Sequence, residues 1–165
     1  MLGHWPVRPQ EVGVLRLITI GRLPHGPEAE LFARYNGRLR PKFVVSEIAE
    51  PRGAPAEVKR RAGAALLAAL PDQAFTVALD PGGTMPNSDE LAQLLLRWRA
   101  GGRPVCFLIG GADGLDASVI ARASYVLSLG RLTWPHLLAR VMLAEQVYRA
   151  QSIAAGHPYH RKPRG

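Results

Sequence analysis

The residues of this chain that are best suited to chemistry lie in three glycine-containing loops and in an aromatic, basic carboxyl-terminal tail. The tail reads His157-Pro158-Tyr159-His160-Arg161. A tyrosine there can stack on a nucleobase, an arginine can bind phosphate and an imidazole can move a proton. The tail is therefore a candidate contact for nucleic acid, although a polar chain end that merely frays is the simpler interpretation.

Each of the three loops follows a predicted strand. They are residues 79–83 (LDPGG), 110–114 (GGADG) and 130–135 (GRLTWP). Ligands of open parallel sheets bind beyond the carboxyl ends of the strands, and glycine lets backbone groups approach a ligand closely. Turn formation explains any one loop, but three such loops indicate one shared small-molecule site.

The common phosphate-binding motifs do not fit this site. Gly21 and Gly26 have the spacing of a P-loop, but Pro27-Glu28 stands where lysine and a hydroxyl residue would hold phosphate and Mg²⁺. The loop at 110–114 is not G-x-G-x-x-G, and its Asp113 would repel a pyrophosphate. A ligand without phosphate, or a cationic one, fits these loops better than ATP or NAD.

The sequence gives little support to a metal or hydrolytic site. Of the five histidines only His157 and His160 are near one another, and no cysteine or acid accompanies them at zinc-ligand spacing. The isolated Ser, Asp and His residues show no spacing typical of a hydrolytic triad. The one cysteine, Cys106, excludes a disulfide within the chain. We expect no metal cofactor.

Composition indicates a globular protein with a polyanionic partner. The chain has 165 residues, 47% of them hydrophobic, and a net charge of +8. The basic surplus lies in two blocks: residues 34–61 hold eight basic and three acidic side chains, and residues 131–165 hold six and one. Solvated faces explain either block alone, but two blocks with Trp, Tyr and His in the second favour nucleic acid over an anionic membrane.

No stretch approaches the about 20 consecutive apolar residues of a membrane-spanning helix, and the amino terminus has no apolar signal segment. We expect a cytoplasmic protein that does not bind membranes. Residues 1–11 contain two prolines and no periodicity. We interpret them as a loose extension before a single domain at 12–165.

Strands and helices alternate along that domain. Apolar runs predict strands over 12–20, 43–48, 75–79, 105–109 and 125–129, with a turn at 80–83 after the third. Helical spacing predicts helices over 28–40, 55–70, 88–100, 116–123 and 137–155, with Ser88 and Asp116 as caps. This order indicates an α/β domain with a mainly parallel sheet and helices on both faces.

Four segments carry a more specific signal. They are residues 107–115 (FLIGGADGL), 132–136 (LTWPH), 145–152 (EQVYRAQS) and 157–161 (HPYHR). Together they resemble the RlmH family of SPOUT-class methyltransferases, which methylate N3 of a pseudouridine in 23S ribosomal RNA. The resemblance runs from about residue 12 to 161 and is weakest over 50–75.

The resemblance implies a homodimer, a trefoil knot in the carboxyl-terminal part of the sheet, and S-adenosylmethionine bound in that knot. It implies 23S rRNA within the assembled ribosome as the partner. Transferred to this chain, the cofactor contacts fall on the same three loops. They are Leu79, Asp80, Gly111, Gly130, Arg131, Leu132, Thr133, Trp134 and Pro135.

Methyl transfer requires an in-line approach of N3 to the methyl carbon and a group that favours the N3 anion. The candidate catalytic residues are His160, Tyr159 and Arg149. The candidate RNA-binding residues are Arg161, His157 and Arg140. In a homodimer, the tail of one protomer would complete the site of the other.

Two other classes of protein stay open on the sequence alone. A non-catalytic ribosome- or RNA-binding factor with the same fold would bind RNA with an affinity that falls steeply with salt, and would not bind S-adenosylmethionine. A nucleotide-using α/β enzyme with His160 as acid or base would bind ATP, but the missing phosphate motifs count against it.

Overall fold

Five parallel strands, seen in a computed structural model that describes residues 13–161, form one sheet in the order β2-β1-β4-β3-β5. The predicted extension at 1–11 lies outside the described residues. The strands are β1 (Leu15–Ile20), β2 (Phe43–Ile48), β3 (Phe75–Thr84), β4 (Val105–Ile109) and β5 (Tyr125–Leu127). The helices are α1 (Pro27–Arg38), α2 (Pro55–Ala68), α3 (Ser88–Ala100), α4 (Ala117–Arg122) and α5 (His136–Ala154).

Helices cover both faces of the sheet, which confirms the predicted fold class. Helices α1, α3 and α5 pack on one face over a core that includes Leu17 and Phe107, whereas α2 and α4 cover Ile18 and Leu108 on the other. Successive strand residues point to opposite faces, so a strand buried on both sides must be apolar at nearly every position. This explains the continuous apolar runs of β1 and β4.

The cap of α3 differs from the prediction. Asn87, not Ser88, is the cap: its side-chain oxygen accepts from the Glu90 N–H at 2.8 Å, and Glu90 Oε2 accepts from the Asn87 N–H at 2.7 Å. Ser88 is the first helical residue, and its hydroxyl donates to Gln146 on α5 at 2.9 Å. The predicted cap Asp116 is confirmed, since its carboxylate accepts from the Ser118 N–H at 3.1 Å.

The prediction that the third strand ends at Leu79 is wrong, because β3 continues to Thr84 and residues 80–83 turn within it. Leu79 and Thr84 both lie opposite Leu127, so the residues between them form a bulge in the ladder. Gly83 is required there, since a Cβ at this position would lie 2.6 Å from the carbonyl oxygen of Val126. β5 also ends earlier than predicted, at Leu127.

A buried arginine joins α5 to the carboxyl ends of β1 and β2. Arg140 is 1% exposed, and its Nη1 lies 2.7 Å from Glu47 Oε2. Its Nη2 donates to the carbonyl oxygens of Gly21 at 2.7 Å and Ile20 at 3.3 Å. Glu47 Oε2 also accepts from the Leu23 N–H at 2.6 Å. The prediction that Arg140 binds RNA is therefore wrong, because its guanidinium is enclosed and both of its Nη atoms are already paired within the protein.

These contacts change the ionisation of Glu47. Burial by itself raises the pKa of this carboxyl group, but the hydrogen bonds from Arg140 and from the Leu23 N–H outweigh burial and hold the pKa below its ordinary 4.5. Glu47 is thus more stable as an anion in the folded protein than in the unfolded chain.

We expect Glu47→Gln to lower the free energy of unfolding by about 2 kcal/mol near neutral pH, because Arg140 would keep a buried charge without its counter-ion. The cost is below that of a fully buried pair, since the Glu47 side chain is 35% exposed. The stabilisation by Glu47 is complete above its ordinary pKa and disappears as the pH falls through the lower pKa of the folded state. Urea denaturation of both proteins over this range should show the difference narrowing as the pH falls.

Glu57→Gln is the matched control, because Glu57 pairs with Arg60 and Arg61 on the exposed face of α2. It should leave the free energy of unfolding nearly unchanged near neutral pH. A Glu47→Gln effect that stays constant with pH would contradict the assignment.

Candidate functional site

The carboxyl ends of β3, β4 and β5 surround a cavity of about 750 Å³. All three loops that the sequence predicts as ligand-binding line this cavity, which has the size of a small-molecule site. Of the nine predicted cofactor contacts, eight lie in its wall: Leu79, Asp80, Gly111, Gly130, Leu132, Thr133, Trp134 and Pro135. Arg131 is exposed and does not line the cavity.

The cavity has further walls that the sequence analysis missed. Leu127 and Leu129 come from β5 and the residues just after it, and His136 and Ala139 come from the first turn of α5. His136 and Ala139 are three residues apart and so share a helix face. That spacing, directly after a predicted ligand loop, is a signal that could have revealed them.

The charged side chains in the wall of this cavity are carboxylates, which disfavour a ligand rich in phosphate. Asp80 and Asp113 line the cavity, and no lysine or arginine is among its lining residues within the described chain. Asp80 Oδ2 accepts from the Gly82 N–H at 2.9 Å, which fixes the bulge of β3 beside the opening. A cationic or neutral ligand fits this wall better than an anion.

Gly130 fixes the shape of the loop between β5 and α5. Its φ of 121° lies in a region that residues with a side chain rarely adopt. The Ser128 hydroxyl accepts from the Gly130 N–H at 3.1 Å and lies 3.0 Å from the Gly130 carbonyl oxygen. The loop therefore turns sharply at this position and sends residues 131–135 across the cavity.

The carboxyl-terminal tail folds back against α5 and does not extend away from it. The His157 N–H donates to the Ser152 carbonyl oxygen at 2.9 Å, and the Tyr159 N–H donates to His157 Nδ1 at 3.2 Å. The Tyr159 ring packs edge-on against Tyr148, with the ring centroids 4.6 Å apart. The guanidinium of Arg149 lies 5.0 Å from the centre of the Tyr159 ring.

Glu145 organises this tail cluster. Its Oε1 pairs with Arg149 and accepts from the Tyr159 hydroxyl at 3.1 Å. Arg149 Nη1 lies 3.3 Å from His160 Nδ1, and because a guanidinium only donates, Nδ1 must be the acceptor. In neutral His160 the proton is then on Nε2, which lies 3.9 Å from Asp89 Oδ1. The three predicted catalytic residues are thus brought together, and Glu145 is the one that sequence reasoning missed, although it lies one helical turn before Arg149.

The tyrosine of this cluster stays protonated at neutral pH. Burial and, after it, the nearby charge of Glu145 together raise the pKa of Tyr159 to about 12. Tyr159 is therefore available as a hydrogen-bond donor or a stacking surface, and not as a general base. The imidazole of His160 can both accept and donate a proton.

A second cavity of about 610 Å³ lies between the tail cluster and the first cavity and shares a wall with the first cavity. It lies between α1, α3 and α5, and Tyr35, Glu145 and Gln146 are among its lining residues. Leu127, Leu129 and Gly130 line both cavities. The backbone after β5 therefore separates a carboxylate-lined cavity from one that adjoins the tail cluster.

The predicted RNA-binding residues His157 and Arg161 are exposed at the end of the tail. Within residues 13–161, no group of three or more His, Cys, Asp or Glu side chains is arranged to hold a metal ion. No helix in the same range is long and apolar enough to cross a membrane.

A parallel sheet with a ligand cavity at its carboxyl edge and a basic tail is compatible with several α/β enzymes, and comparison with known proteins identifies the class. A family model described as predicted SPOUT methyltransferase matches residues 14–160, so the chain belongs to the SPOUT methyltransferases. Within that class it belongs with the ribosomal RNA large subunit methyltransferase H proteins, as its four sequence segments predict.

Two of these relatives show how far the similarity extends. The protein of Gluconacetobacter diazotrophicus is 59% identical over 150 residues, which cover 91% of this chain and 99% of the relative. That of Acidiphilium cryptum is 54% identical, over 91% of this chain and 95% of the relative. Both are named ribosomal RNA large subunit methyltransferase H.

Solved structures confirm the fold. A probable methyltransferase from Bordetella pertussis superposes with a TM-score of 0.53 at 17% identity, over 86% of this chain and 98% of that one. A probable methylase family protein from Haemophilus influenzae gives 0.53 at 11% identity, over 92% and 72%. The trefoil knot stays a prediction of the family resemblance.

We expect Glu145→Gln to lower the pKa of Tyr159, because it removes the negative charge that opposes ionisation of the phenol. The ring-carbon NMR signal of Tyr159, assigned with a Tyr159→Phe variant, measures this ionisation directly. At about pH 10.5 the wild-type signal should remain that of the protonated phenol, while the variant signal shifts towards that of the phenolate. Identical titration of both proteins would show that Glu145 does not control the tail.

Proposed function

We propose that this chain transfers the methyl group of S-adenosylmethionine to N3 of one pseudouridine of 23S rRNA in assembled ribosomes. The observation that carries the proposal is that the carboxylate-lined cavity shares its wall at Leu127, Leu129 and Gly130 with a second cavity, which is lined by Glu145, the residue that holds Arg149 and Tyr159. The name shared by the curated relatives, ribosomal RNA large subunit methyltransferase H, supports large-subunit rRNA as the substrate.

The donors and charges of the first cavity fit S-adenosylmethionine. This cofactor has no phosphate and carries a sulfonium and an ammonium group, which suit a wall with Asp80 and Asp113 and without lysine or arginine. Backbone groups at Leu79, Gly111 and the loop 130–135 would hold it, with Ala139 closing one side. When bound, it supplies an electrophilic methyl group.

The tail cluster supplies the groups that act on the base. The N3–H of pseudouridine is a weak acid, so the proton must leave as the nitrogen lone pair forms its bond to the methyl carbon. The bond between that carbon and the sulfonium sulfur would break at the same time, and the sulfur would leave as a neutral thioether. Arg149, held by Glu145, places a fixed positive charge where the N3 anion develops. His160 accepts the proton at Nδ1, after Arg149 turns from this nitrogen towards the base, and passes it to solvent. Tyr159 stacks against the base or donates a hydrogen bond to it.

A homodimer brings these parts together. Within one protomer the backbone at Gly130 separates the cofactor cavity from the tail cluster. Leu132, Trp134 and Leu138 expose 71%, 42% and 37% of their surface around that loop, an apolar patch typical of a protein interface. In our proposal the patch is covered by a second copy, whose tail reaches the cofactor cavity.

The first experiment offers labelled S-adenosylmethionine with intact ribosomes, isolated large subunits and free rRNA side by side. We expect label on a single pseudouridine and only in assembled ribosomes, because the partner that the family resemblance implies is rRNA within the ribosome. Mass mapping of the labelled nucleoside identifies the methylated atom. Absence of label from all three, together with absence of cofactor binding, would favour the non-catalytic binding factor.

Mixed dimers test whether two protomers share one site. His160→Ala should lose turnover but keep its affinity for the cofactor within a few fold, and Gly130→Ala should lose cofactor binding because of the backbone strain at φ 121°. After the two inactive variants are mixed and allowed to exchange subunits, each heterodimer holds one site with both parts intact. We expect methyl transfer to reappear in this mixture.

A mixture that stays inactive although heterodimers form would show that each site uses the tail of its own protomer. His25→Ala is the matched control for the tail variant, because His25 is exposed in the loop before α1. It should retain full turnover.

A further inference from the structure

The fold divides the first basic block of the sequence into two groups with different surroundings. Arg52, Lys59, Arg60 and Arg61 lie on and before α2, where Glu57 pairs with Arg60 at 2.6 Å and with Arg61 at 3.0 Å. The other group lies at the carboxyl end of α1 and just after it. We call it the α1-end group, and its members are Arg34, Arg38, Arg40 and Lys42.

The α1-end group lies beside the tail. The Arg40 N–H donates to Gln151 Oε1 at 2.9 Å, and Gln151 Nε2 donates to the Pro41 carbonyl oxygen at 3.4 Å. Gln151 is in the last turns of α5, close to where the tail begins. Residues more than 100 positions apart along the chain thus form one continuous surface, which joins the two basic blocks.

Aromatic rings connect the two blocks on this surface. The Arg38 guanidinium lies 5.8 Å from the ring centre of Tyr35 and 5.6 Å from that of Tyr148. Tyr148 in turn packs against Tyr159, over which Arg149 lies. Two arginines therefore flank a group of three tyrosines, a combination typical of surfaces that bind single-stranded RNA by stacking and phosphate contacts.

The positive charges of this group remain available to a phosphate. Arg34, Arg38 and Lys42 are exposed, and none of them forms an ion pair with a carboxylate of the described residues. The arginines of α2, in contrast, share Glu57. Arg40 is also partly used, since its Nη1 donates to the carbonyl oxygens of Gly37 at 3.0 Å and Leu39 at 2.7 Å.

We propose that the end of α1, through Arg34, Arg38 and Lys42, binds the phosphates of the RNA strand that flanks the target nucleotide. Arg38 is held in place by Tyr35 and Tyr148, so the strand passes the α1 end beside the tail cluster. This inference rests on the proposed rRNA substrate. It assigns a partner to three members of the α1-end group and assigns none to the basic residues on and before α2.

The test compares two variants that each lose two positive charges from the same sequence block. The first is Arg34→Gln/Arg38→Gln, and the second, as matched control, is Arg60→Gln/Arg61→Gln. Binding to ribosomes is measured by co-sedimentation without S-adenosylmethionine, over a series of salt concentrations. Methyl transfer is measured separately, together with thermal unfolding and the oligomeric state of each variant.

We expect the α1-end variant to bind ribosomes at least about tenfold more weakly, and the slope of log K against log salt to fall by roughly 1.4, about 0.7 for each lost phosphate contact with a single strand. Its KM for ribosomes should rise, while kcat and the affinity for S-adenosylmethionine stay within about twofold. The α2 variant should match the wild type in all of these quantities.

Equal weakening in both variants would overturn the inference, since the block would then act only through its total charge. Unchanged binding by the α1-end variant would overturn it as well. A loss of kcat with unchanged KM would place Arg38 in the chemical step and not on a docking surface. Because binding is measured without methyl transfer, a wild type that binds ribosomes but transfers no methyl group would overturn the proposed reaction alone.

Discussion

The buried guanidinium of Arg140 determines where α5 starts relative to the sheet. It binds two backbone carbonyl oxygens at the end of β1 and the carboxylate of Glu47 on β2, so the first turns of α5 are fixed to the carboxyl ends of these two neighbouring strands. The loop 130–135, which lines the larger cavity, ends directly before this helix. Glu145 and Arg149 follow Arg140 in the same helix. Both halves of the candidate site therefore take their positions from one helix whose start is anchored by an ion pair.

Some of the basic side chains form ion pairs within the protein, and others do not. Arg140 and Arg149 form intramolecular ion pairs, and Arg60 and Arg61 of α2 both pair with Glu57. The wall of the larger cavity contains two aspartates and no lysine or arginine among the described residues. Within the two basic blocks, the exposed side chains without a carboxylate partner among residues 13–161 include Arg34, Arg38 and Lys42 at the end of α1 and Arg161 in the tail. Net charge indicates the class of partner, but the structure shows which charges can meet it.

The sequence predicts most of the fold because strands buried on both faces need apolar side chains at nearly every position, a pattern that β1 and β4 show clearly. It also predicts the cofactor-sized cavity, since parallel strands bring loops 79–83, 110–114 and 130–135 to one edge. It does not predict the fate of Arg140, because Glu47 lies 93 residues away in the chain. The sequence also does not predict the N-cap of α3, because Asn87 and Ser88 are adjacent and both residue types can cap a helix. The structure shows that Asn87 is the cap.

The wall at Leu127, Leu129 and Gly130 belongs to both cavities, so movement of this wall would couple binding in one cavity to binding in the other. Any ligand that displaces this wall changes the space on its other side, and such coupling is reciprocal for binding free energies. Gly130, with its constrained φ and its bonds to Ser128, sets how stiff the wall is. If this wall is rigid, ligands bind to the two cavities independently. If it is flexible, a ligand in one cavity changes the affinity of the other cavity for its ligand.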